Sequence, residues 1–560
     1  MKSRIVNSRL RLLLLGILLT FAALGVRVAW LQTVRASSLA SLAQRQAKFD
    51  LALPASRGTI YDRLGTPLAI GEQATDVIAD PMQIADPRRE ARVAAKVLGI
   101  RVGPLIQKLS DRSSGFVYVE RKASPRLAAE LSKRNLTGFT FQSSEKRVYP
   151  QGTVAEPVLG YAGLDNVGLA GLEQELNKRL AGRPGRETVV RDATGQAVNT
   201  IQERPARDGS NVFLTLDSHI QANAEQVLER TVQEWHARDA TAIVMDPHTG
   251  AILALAQEPG FDANHFPAAT TRGLTIDHAV SDVFEPGSVF KVVTVGGALS
   301  EHKITPQTRF TLPYSIHVAD RVIHDAEIRP TERMTVAQIL QRSSNVGAVT
   351  IAERYLGESG LVHWMRRFGF GALTGIDLPG ESAGILPSYW SGSTIGNVPI
   401  GQGVSVTSVQ LASAYSAIAN GGEWIQPHLV DHVVGQAPPR LHRRRILAPS
   451  VDRELRTMLK GVVSDQGTGE LAAIPGYSVA GKTGTAQKPG PHGYIPGAYV
   501  ATFVGMVPAL DPRLVVLVSV DEPHGQIYGG TVAAPAFEQI ASFDLQYLEV
   551  PPDLRIGARG

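Results

Sequence analysis

The N-terminal segment determines where the rest of the chain can fold. Residues 1–11 carry four basic side chains and no acidic one, and residues 12–31 form an apolar run about as long as a membrane span. Arg27 and Trp30 lie near the far end of this run, where such side chains reach the bilayer interface. Because basic flanks stay in the cytoplasm, we predict a single-pass anchor with everything after it outside the cytoplasm. A cleaved signal peptide is the alternative, although no small-residue cleavage site closes the run.

The composition narrows the classes of function. The chain has 560 residues, 43% of them hydrophobic, which is enough for two or three domains with buried cores. Its net charge of +4 is small for this length and gives no indication of nucleic-acid binding. The absence of cysteine excludes disulfides, thiolate catalysis and cysteine-ligated metals.

Changes in pattern along the chain predict two folded regions. Residues 204–221 combine a charged turn, a short apolar run and the start of a helix near Asp217, which is typical of a boundary. The predicted divisions are a cytoplasmic tail (1–11), an anchor (12–31), a small polar stalk with helical spacing (32–50), an N-terminal module (51–216), a second domain (217–545) and a C-terminal tail (546–560).

The second region has the pattern of an α+β domain. Residues 241–245 and 251–256 are apolar runs around a Pro/Gly turn, which predicts a hairpin. Segments compatible with helices follow, and three further strand candidates come at residues 478–487, 499–507 and 514–520. The connections between these last strands are too short for parallel crossovers, so we predict helices packed against an antiparallel sheet.

One charged residue interrupts an apolar run in "EPGSVFKVVTV". Lys291 follows Ser288 by three positions, and burying an unpaired ammonium costs several kcal/mol or removes its proton. The valines favour a strand, which would place the two side chains on opposite sides, but Pro286-Gly287 favours a helix start. In a helix, Ser288 and Lys291 share a face, and a neutral lysine can act as base toward the serine. A capped helix with a surface-reaching lysine is the simpler interpretation of this motif alone.

Two later motifs supply further polar groups. "SSN", residues 343–345, follows an amphipathic helix that begins near Thr335 and by itself fits an ordinary helix-end turn. "GKTGT", residues 481–485, lies on a strand candidate whose glycines allow a ligand to approach closely, and its lysine and threonines suit a carboxylate. A phosphate loop is excluded because no Gly-x-x-x-x-Gly precedes Lys482.

The order of these motifs resembles that of the penicillin-binding proteins and serine β-lactamases. Ser-x-x-Lys, Ser-x-Asn and Lys-Thr-Gly follow one another as in that superfamily. Most of the chain is similar to the class B penicillin-binding proteins, with matching landmarks at residues 57–69, 147–163, 168–182 and 400–412. Residues 499–537 look most like the division-specific branch, the septal peptidoglycan D,D-transpeptidases of FtsI type.

The resemblance implies a fold. The implied fold class is α+β: a penicillin-binding transpeptidase or serine β-lactamase-like domain, in which helices flank a five-stranded antiparallel sheet. A membrane anchor and an elongated α+β N-terminal module, of the non-catalytic pedestal or dimerisation type, would precede this domain.

The resemblance also implies roles for the motif residues. Ser288 would attack the carbonyl between the terminal D-alanines of a stem peptide, and Lys291, kept neutral by burial and by nearby Lys482, would take its proton. The remaining implied roles are proton relay and substrate orientation for Ser343 and Asn345, carboxylate binding for Lys482, Thr483, Gly484 and Thr485, and an oxyanion hole from the backbone N–H groups of Ser288 and Thr485.

A second motif set belongs to the N-terminal module. By resemblance, Arg57, Gly58, Asp62 and Arg63 form its opening motif, and Glu173 is expected to pair with an arginine such as Arg57. Residues 173–177 also fit the Glu-x-x-Leu-Asn pattern of class A β-lactamases. In those enzymes the pattern follows the nucleophile, whereas here it lies far before Ser288. We therefore expect no deacylating glutamate, and we expect a β-lactam acyl-enzyme to hydrolyse slowly.

Other candidate sites are weaker. "HLVDH", residues 428–432, would place two histidines one turn apart only in a helix, and it reads better as a strand, so we predict no metal and no cofactor. The basic run at residues 440–445 is interpreted as a solvated loop, with an anionic partner surface as the alternative.

The resemblance implies partners and a location. Expected ligands are peptidoglycan stem peptides, lipid-linked or in nascent glycan, and β-lactams; expected protein partners are a membrane-embedded SEDS-type glycan polymerase and single-span division proteins. The expected location is the septal region of the bacterial inner membrane. The alternatives are an elongation-specific class B transpeptidase, a D,D-carboxypeptidase and a non-catalytic divisome scaffold.

Overall fold

The computed structural model describes residues 2–37, 48–191, 197–265, 276–491 and 493–554. Its contacts divide the chain into two compact units. The first consists of Met1–Ser56 with Gly182–Asp208, and the second of Arg57–Ala181 with Gly209–Gly560.

The regular elements are numbered in chain order. The α-helices are α1 (Lys2–Thr33), α2 (Pro87–Leu98), α3 (Val102–Ser110), α4 (Pro125–Ser132), α5 (Glu156–Leu159), α6 (Gly171–Glu175), α7 (Asn177–Leu180), α8 (Ser218–Trp235), α9 (His278–Ser281), α10 (Lys291–Ser300), α11 (Val336–Gln341), α12 (Asn345–Ile351), α13 (Gly357–Phe368), α14 (Thr394–Asn397), α15 (Ser408–Ala419), α16 (Pro449–Lys460) and α17 (Gly529–Tyr547). The strands are β1 (Lys48–Leu53), β2 (Ile60–Tyr61), β3 (Pro67–Ala79), β4 (Val117–Ala123), β5 (Phe139–Val148), β6 (Gly185–Arg191), β7 (Ala197–Arg204), β8 (Val212–Leu214), β9 (Asp239–Met245), β10 (Ile252–Glu258), β11 (Arg309–Leu312), β12 (Ser315–Val318), β13 (Arg321–His324), β14 (Glu332–Thr335), β15 (Glu423–Ile425), β16 (Val430–Val433), β17 (Arg443–Arg445), β18 (Ala480–Gly490), β19 (Gly493–Val507) and β20 (Leu514–Asp521).

The first unit contains the N-terminal helix and a small sheet. Within α1, the stretch Leu10–Thr33 has the length and composition of a single membrane span, slightly longer at both ends than the predicted anchor. The strands pair antiparallel in the order β1-β6-β7. Most of the predicted stalk, at residues 38–47, lies outside the described residues. Its last three residues begin β1, so the helical spacing does not extend to residue 50.

The second unit is built around a five-stranded antiparallel sheet in the order β10-β9-β20-β19-β18, which confirms the predicted fold class. Alternate side chains of β20 enter two cores. Leu517 packs into the larger core with α10, α13 and α15, whereas Val516 and Val518 pack into a core formed with α8 and α17. A strand buried on both faces reads as a continuous apolar run, which is why its sequence lacks polar alternation.

A second sheet includes strands from both predicted regions. Its order is β16-β8-β2-β3-β4, with β5 also paired to β3, and β2 runs parallel to β8. The predicted boundary segment therefore supplies a strand, β8, that joins β2 to β16. Asp217 caps α8 as expected. No division between compact units falls at residues 216–217, because Arg57–Ala181 and Gly209–Gly560 form one unit.

Two weaker sequence interpretations have different outcomes. Residues 430–433 form strand β16, as predicted for "HLVDH". The basic run is not entirely a loop, because Arg443–Arg445 forms β17 and pairs with β15. The guanidinium of Arg444 lies 4.6 Å from the centre of the Trp424 ring. A cation can pack on an aromatic face in this way, so the arginine gains a contact that a solvated loop would lack.

The N-terminal motif forms a buried ionic centre. Glu173 is completely buried, and its two carboxylate oxygens each lie 2.6 Å from an arginine Nε, one of Arg57 and one of Arg147. The predicted pairing with Arg57 is therefore present, and Arg147 is a second partner that sequence reasoning missed. Gly58 is next to this centre, where a Cβ would lie 2.0 Å from the Ser210 carbonyl oxygen.

The other two motif residues contact the start of α8. The Asp62 carboxylate accepts hydrogen bonds from the backbone N–H of Thr66 at 2.7 Å and from the Ser218 hydroxyl at 2.7 Å. Arg63 Nε donates to Asp217 Oδ2 at 2.7 Å. The motif thus fixes the N-terminus of the helix that packs under the five-stranded sheet.

We predict that Glu173→Gln lowers the free energy of unfolding by about 3–5 kcal/mol, because it leaves two buried guanidinium groups without their carboxylate. Glu175→Gln, an exposed substitution in the same helix, is the matched control and should change stability by less than about 0.5 kcal/mol. Urea unfolding of the detergent-solubilised chain measures both. Equal stabilities of the two variants would contradict the structural role of Glu173.

Candidate active site

Ser288 and Lys291 lie on one helical turn. A single 3₁₀ turn, Gly287–Phe290, leads directly into α10, which begins at Lys291. This confirms the helical alternative over the strand. Ser288 is half-buried, Lys291 is fully buried, and Lys291 Nζ lies 3.0 Å from Ser288 Oγ.

The serine turn packs backbone to backbone against strand β18. Gly287 has φ +58°, and a Cβ there would lie 2.9 Å from the carbonyl oxygen of Thr485. A Cβ on Gly484 would lie 2.9 Å from the carbonyl oxygen of Pro286. Both positions therefore require glycine, for space and, at residue 287, for backbone conformation. The contact brings the first and third motifs together.

The second motif closes the site around the lysine. Ser343 adopts a left-handed backbone, φ +57°, between α11 and α12, and Ser344 caps α12. Lys291 Nζ lies 2.6 Å from the Ser343 carbonyl oxygen, 3.1 Å from its Oγ and 2.7 Å from Asn345 Oδ1. A left-handed non-glycine residue costs on the order of 1–3 kcal/mol. In this conformation the carbonyl oxygen and the hydroxyl of Ser343 both contact the Lys291 amine.

The hydrogen bonds around Lys291 suit a neutral amine. The carbonyl oxygen of Ser343 only accepts. Asn345 also presents an acceptor, because its Nδ2 donates to the His324 carbonyl oxygen at 3.0 Å and so fixes the amide orientation. Two N–H groups of an uncharged amine satisfy these two oxygens. The nitrogen lone pair then remains free to accept the proton of Ser288.

Lys482 brings a second buried amine to the same place. It lies on β18, is fully buried, and its Nζ is 2.9 Å from Ser343 Oγ and 3.2 Å from both the carbonyl oxygen and Oγ1 of Thr483. The Ser343 hydroxyl is therefore within hydrogen-bond distance of both lysines. The Thr483 hydroxyl is also 2.7 Å from Thr468 Oγ1, and Thr485 Oγ1 accepts from the Gly529 N–H at 3.2 Å.

Burial lowers the pKa of both lysines. Burial lowers the pKa of Lys291 to about 7, and the Asp325 carboxylate opposes this shift. Burial lowers the pKa of Lys482 well below its ordinary value, and the charge of Lys291 lowers it further. Repulsion between two ammonium groups is mutual, so the two amines disfavour being charged at the same time.

Asp325 supports the second motif and was missed from the sequence. It is buried, its Oδ1 accepts from the Val346 N–H and the Ser344 hydroxyl at 3.0 Å each, and its Oδ2 accepts from Arg329 Nε at 2.9 Å. It comes four residues before Arg329 and almost twenty before the serines, in a stretch without regular periodicity. The one sequence signal for this pair was that the acidic Asp325 and the basic Arg329 are four positions apart.

A metal is not needed to explain these contacts. Among the described residues, no group of three or more histidine, cysteine, aspartate or glutamate side chains is placed to hold a metal ion. The hydrogen-bond partners of Lys291 and Lys482 are hydroxyl, amide and carbonyl groups of the chain itself.

The chain matches two protein families in tandem. Residues 52–214 match the penicillin-binding protein dimerisation domain, and residues 240–542 match the penicillin-binding protein transpeptidase domain. Together these two matches cover most of the chain outside the anchor.

Several curated relatives match almost end to end. The chain is 32% identical to the peptidoglycan D,D-transpeptidase FtsI of Escherichia coli, over 98% of this chain and 93% of the relative. It is 33% identical to the probable peptidoglycan D,D-transpeptidase PenA of Neisseria gonorrhoeae, over 98% and 94%. It is also 34% identical to stage V sporulation protein D of Bacillus subtilis, over 98% and 87%.

Among solved structures, penicillin-binding protein 3 of Mycobacterium tuberculosis in complex with aztreonam is similar, with a TM-score of 0.72 and 30% identity. That match covers 90% of this chain and 98% of the solved one.

We predict that Lys291→Met raises the pKa of Lys482, because it removes the positive charge that lowers it. Lysine-selective ¹³C NMR titration of the chain in micelles measures the change through the Lys482 Cε shift. Lys488→Met is the matched control, since Lys488 pairs with Asp521 and Glu522 and does not contact Lys482. An unchanged Lys482 titration in Lys291→Met would show that the two amines do not interact.

Proposed function

We propose that this chain, which belongs to the class B penicillin-binding proteins, is the peptidoglycan D,D-transpeptidase of the division septum. As a member of that family it is a serine-type D-Ala-D-Ala transpeptidase, an acyltransferase of cell-wall synthesis. One observation supports the residue roles that follow: Lys291 Nζ lies 3.0 Å from Ser288 Oγ, and it also lies 2.6 Å from the Ser343 carbonyl oxygen and 2.7 Å from Asn345 Oδ1.

Acylation begins at Ser288. Its Oγ attacks the carbonyl carbon between the two terminal D-alanines while the Lys291 lone pair takes the hydroxyl proton. A well-placed general base contributes about 10²–10⁴-fold. Burial is what makes Lys291 suitable, because a lysine with a pKa near 7 is substantially unprotonated at neutral pH.

The third motif binds the substrate. Lys482, Thr483 and Thr485 hold the terminal carboxylate, while Gly484 leaves room for the turn that carries Ser288. An arriving carboxylate raises the pKa of Lys482, so the amine can become charged in the complex. The backbone N–H groups of Ser288 and Thr485 form the oxyanion hole, each donor contributing roughly 10²–10³-fold.

Proton transfer completes the two half-reactions. Ser343 Oγ lies 3.1 Å from the Lys291 amine and 2.9 Å from the Lys482 amine, so it can pass a proton between them, and Asn345 holds Lys291 in place. The protonated base delivers a proton to the departing D-alanine nitrogen. An amine of a neighbouring stem then loses a proton to the same base as it attacks the ester carbonyl. The C–Oγ bond breaks, the base returns the proton to Ser288 Oγ, and the new amide is the cross-link.

A β-lactam follows the same first step. Ser288 opens the lactam ring and forms an ester. No acceptor amine attacks this ester, so the acyl-enzyme persists. Glu173 is not available to activate water, because it is completely buried between Arg57 and Arg147. The β-lactam acyl-enzyme is therefore expected to hydrolyse slowly.

We predict that Ser288→Ala abolishes covalent labelling by a fluorescent penicillin. Intact-protein mass spectrometry of the wild-type chain should find one adduct, on the peptide that contains Ser288. Ser300→Ala, a substitution at the other end of α10, is the matched control and should label normally. Labelling that persists in Ser288→Ala would sink the nucleophile assignment.

We also predict that the acylation rate rises with pH through about pH 7. The folded-state pKa of Lys291 lies below its ordinary value, so the base gains its reactive, neutral form across that range rather than near pH 10. Stopped-flow measurement of acylation by a chromogenic cephalosporin between pH 5.5 and 9 reports the midpoint. A rate that is independent of pH across this window would remove Lys291 as the titrating base.

The septal assignment rests on sequence similarity. Residues 499–537 resemble the division-specific branch, and FtsI of Escherichia coli is among the relatives. We propose that α1 holds the chain in the inner membrane with its N-terminus in the cytoplasm and its other domains outside. We further propose that it works beside a SEDS-type glycan polymerase and single-span division proteins.

Depletion of the protein separates division from elongation. We predict filamentous cells on depletion, rescued by the wild-type gene and not by Ser288→Ala. Rounded cells would instead indicate the elongation-specific alternative. Rescue by Ser288→Ala would indicate a scaffold without catalysis, and stem-peptide trimming without cross-links in vitro would indicate a carboxypeptidase.

A further inference from the structure

The turn at residues 464–469 carries a hydroxyl group that none of the sequence motifs includes. Thr468 lies on this turn and is exposed, and its Oγ1 is 2.7 Å from Oγ1 of Thr483 on β18. Thr483 is only 7% exposed, and its hydroxyl is also 3.2 Å from Lys482 Nζ. Thr468 is therefore one hydrogen bond away from the groups that are proposed to hold the terminal carboxylate of the substrate.

Main-chain contacts fix the position of this turn. The N–H of Gly469 donates to the Val462 carbonyl oxygen at 2.9 Å, and a Cβ on Gly467 would lie 2.0 Å from that same oxygen. On the other side, a Cβ on Gly530 at the start of α17 would lie 2.1 Å from the carbonyl oxygen of Thr468. The backbone therefore holds Thr468 beside both α17 and β18, although the threonine itself is exposed.

The two threonine hydroxyls of the third motif differ in how their protons are directed. Thr485 Oγ1 accepts from the Gly529 N–H, which can only donate, so this bond leaves the Thr485 proton available to a ligand. The Thr483 hydroxyl faces another hydroxyl, and either of the two can be the donor. When Thr483 donates to Thr468, its proton points away from the substrate. When Thr468 donates, the Thr483 proton is available to a ligand.

We propose that Thr468 is a positioning residue for the substrate carboxylate: it donates to Thr483, and Thr483 donates to the carboxylate. This inference rests on the proposed function, because it extends the carboxylate-binding role of Thr483. A carboxylate only accepts hydrogen bonds, so its arrival selects the arrangement in which both hydroxyl protons point toward it. A hydroxyl that accepts a hydrogen bond becomes a stronger donor, so the outer bond strengthens the inner one.

The other neighbour of the Thr483 hydroxyl is compatible with this direction. A hydroxyl oxygen has two lone pairs, so Thr483 Oγ1 can accept from Thr468 and from the Lys482 amine while its own proton goes to the carboxylate. Thr468 thus acts through Thr483 and does not itself touch the ligand. Its effect should be greatest for ligands that carry a negative charge at the carboxylate position, because charge-assisted hydrogen bonds are the stronger ones.

The test compares acylation of the full-length protein in micelles by benzylpenicillin and by benzylpenicillin methyl ester, which lacks the anionic carboxylate. Intact-protein mass spectrometry gives the second-order rate constant for each compound. Thr468→Val should lower the constant for benzylpenicillin about fivefold, as expected for loss of one hydrogen bond. It should lower the constant for the ester by less than about twofold, because an ester accepts only uncharged hydrogen bonds. Thr468→Ser, which keeps the hydroxyl, should retain the wild-type ratio of the two constants. Thr457→Val, an exposed substitution on α16 where the hydroxyl donates to the Arg453 carbonyl oxygen of its own helix, is the matched control.

Three results would overturn the proposal. Equal losses for benzylpenicillin and its ester in Thr468→Val would show that the residue only shapes the site, and no loss for either would show that its hydroxyl has no part in binding. A ratio in Thr468→Ser as low as in Thr468→Val would assign the effect to the methyl group of the threonine. Failure of the proposed function has a different signature, because the wild-type chain would then not be acylated at Ser288 by either compound.

Discussion

The burial of the Lys291 amine is the constraint on which the rest of the catalytic region depends. A lysine at 0% exposure is tolerable only if it loses its charge readily and if acceptors surround its nitrogen. The chain meets both requirements with groups from separate elements: the turn before α10, the left-handed serine before α12, and the first residue of α12. Lys482 imposes the same requirement a second time from β18. Among the described residues, the hydroxyl of Ser343 is the one group within hydrogen-bond distance of both nitrogens.

This arrangement depends on close approach of main chains more than on side-chain packing. Gly287 and Gly484 let the serine turn and β18 touch, and the antiparallel register of β18 with β19 places Lys482 beside Val504. The support continues away from the site. Asp325 holds the N-terminus of α12, and the Arg57-Glu173-Arg147 centre belongs to the motif that fixes the start of α8. The left-handed backbone of Ser343 is maintained because Asp325 holds the residues that follow it, Ser344 and Val346.

Much of the catalytic region could be predicted from the sequence, because its information is local or ordered along the chain. A short stretch of sequence is enough to recognise the apolar runs of β9, β10, β19 and β20. The same is true of the capping of α11 by Thr335. Ser288 and Lys291 could be placed on one face once the helix was chosen. Other features depend on contacts between residues that are not close neighbours in the chain, and these contacts leave no local pattern. Arg147 joining Glu173 and the strand formed by Arg443–Arg445 are examples.

The strand order of the central sheet has a consequence for biogenesis. β9 pairs on one side with β10, its neighbour in sequence, but on the other side with β20, which is among the last strands to be synthesised. At translation rates of about 5–20 residues per second, one backbone edge of the apolar strand β9 stays unpaired for on the order of tens of seconds. An open strand edge of this kind is a template for aggregation. Synthesis of this chain therefore includes a period in which the larger core, to which β9 and β20 both contribute, cannot yet close.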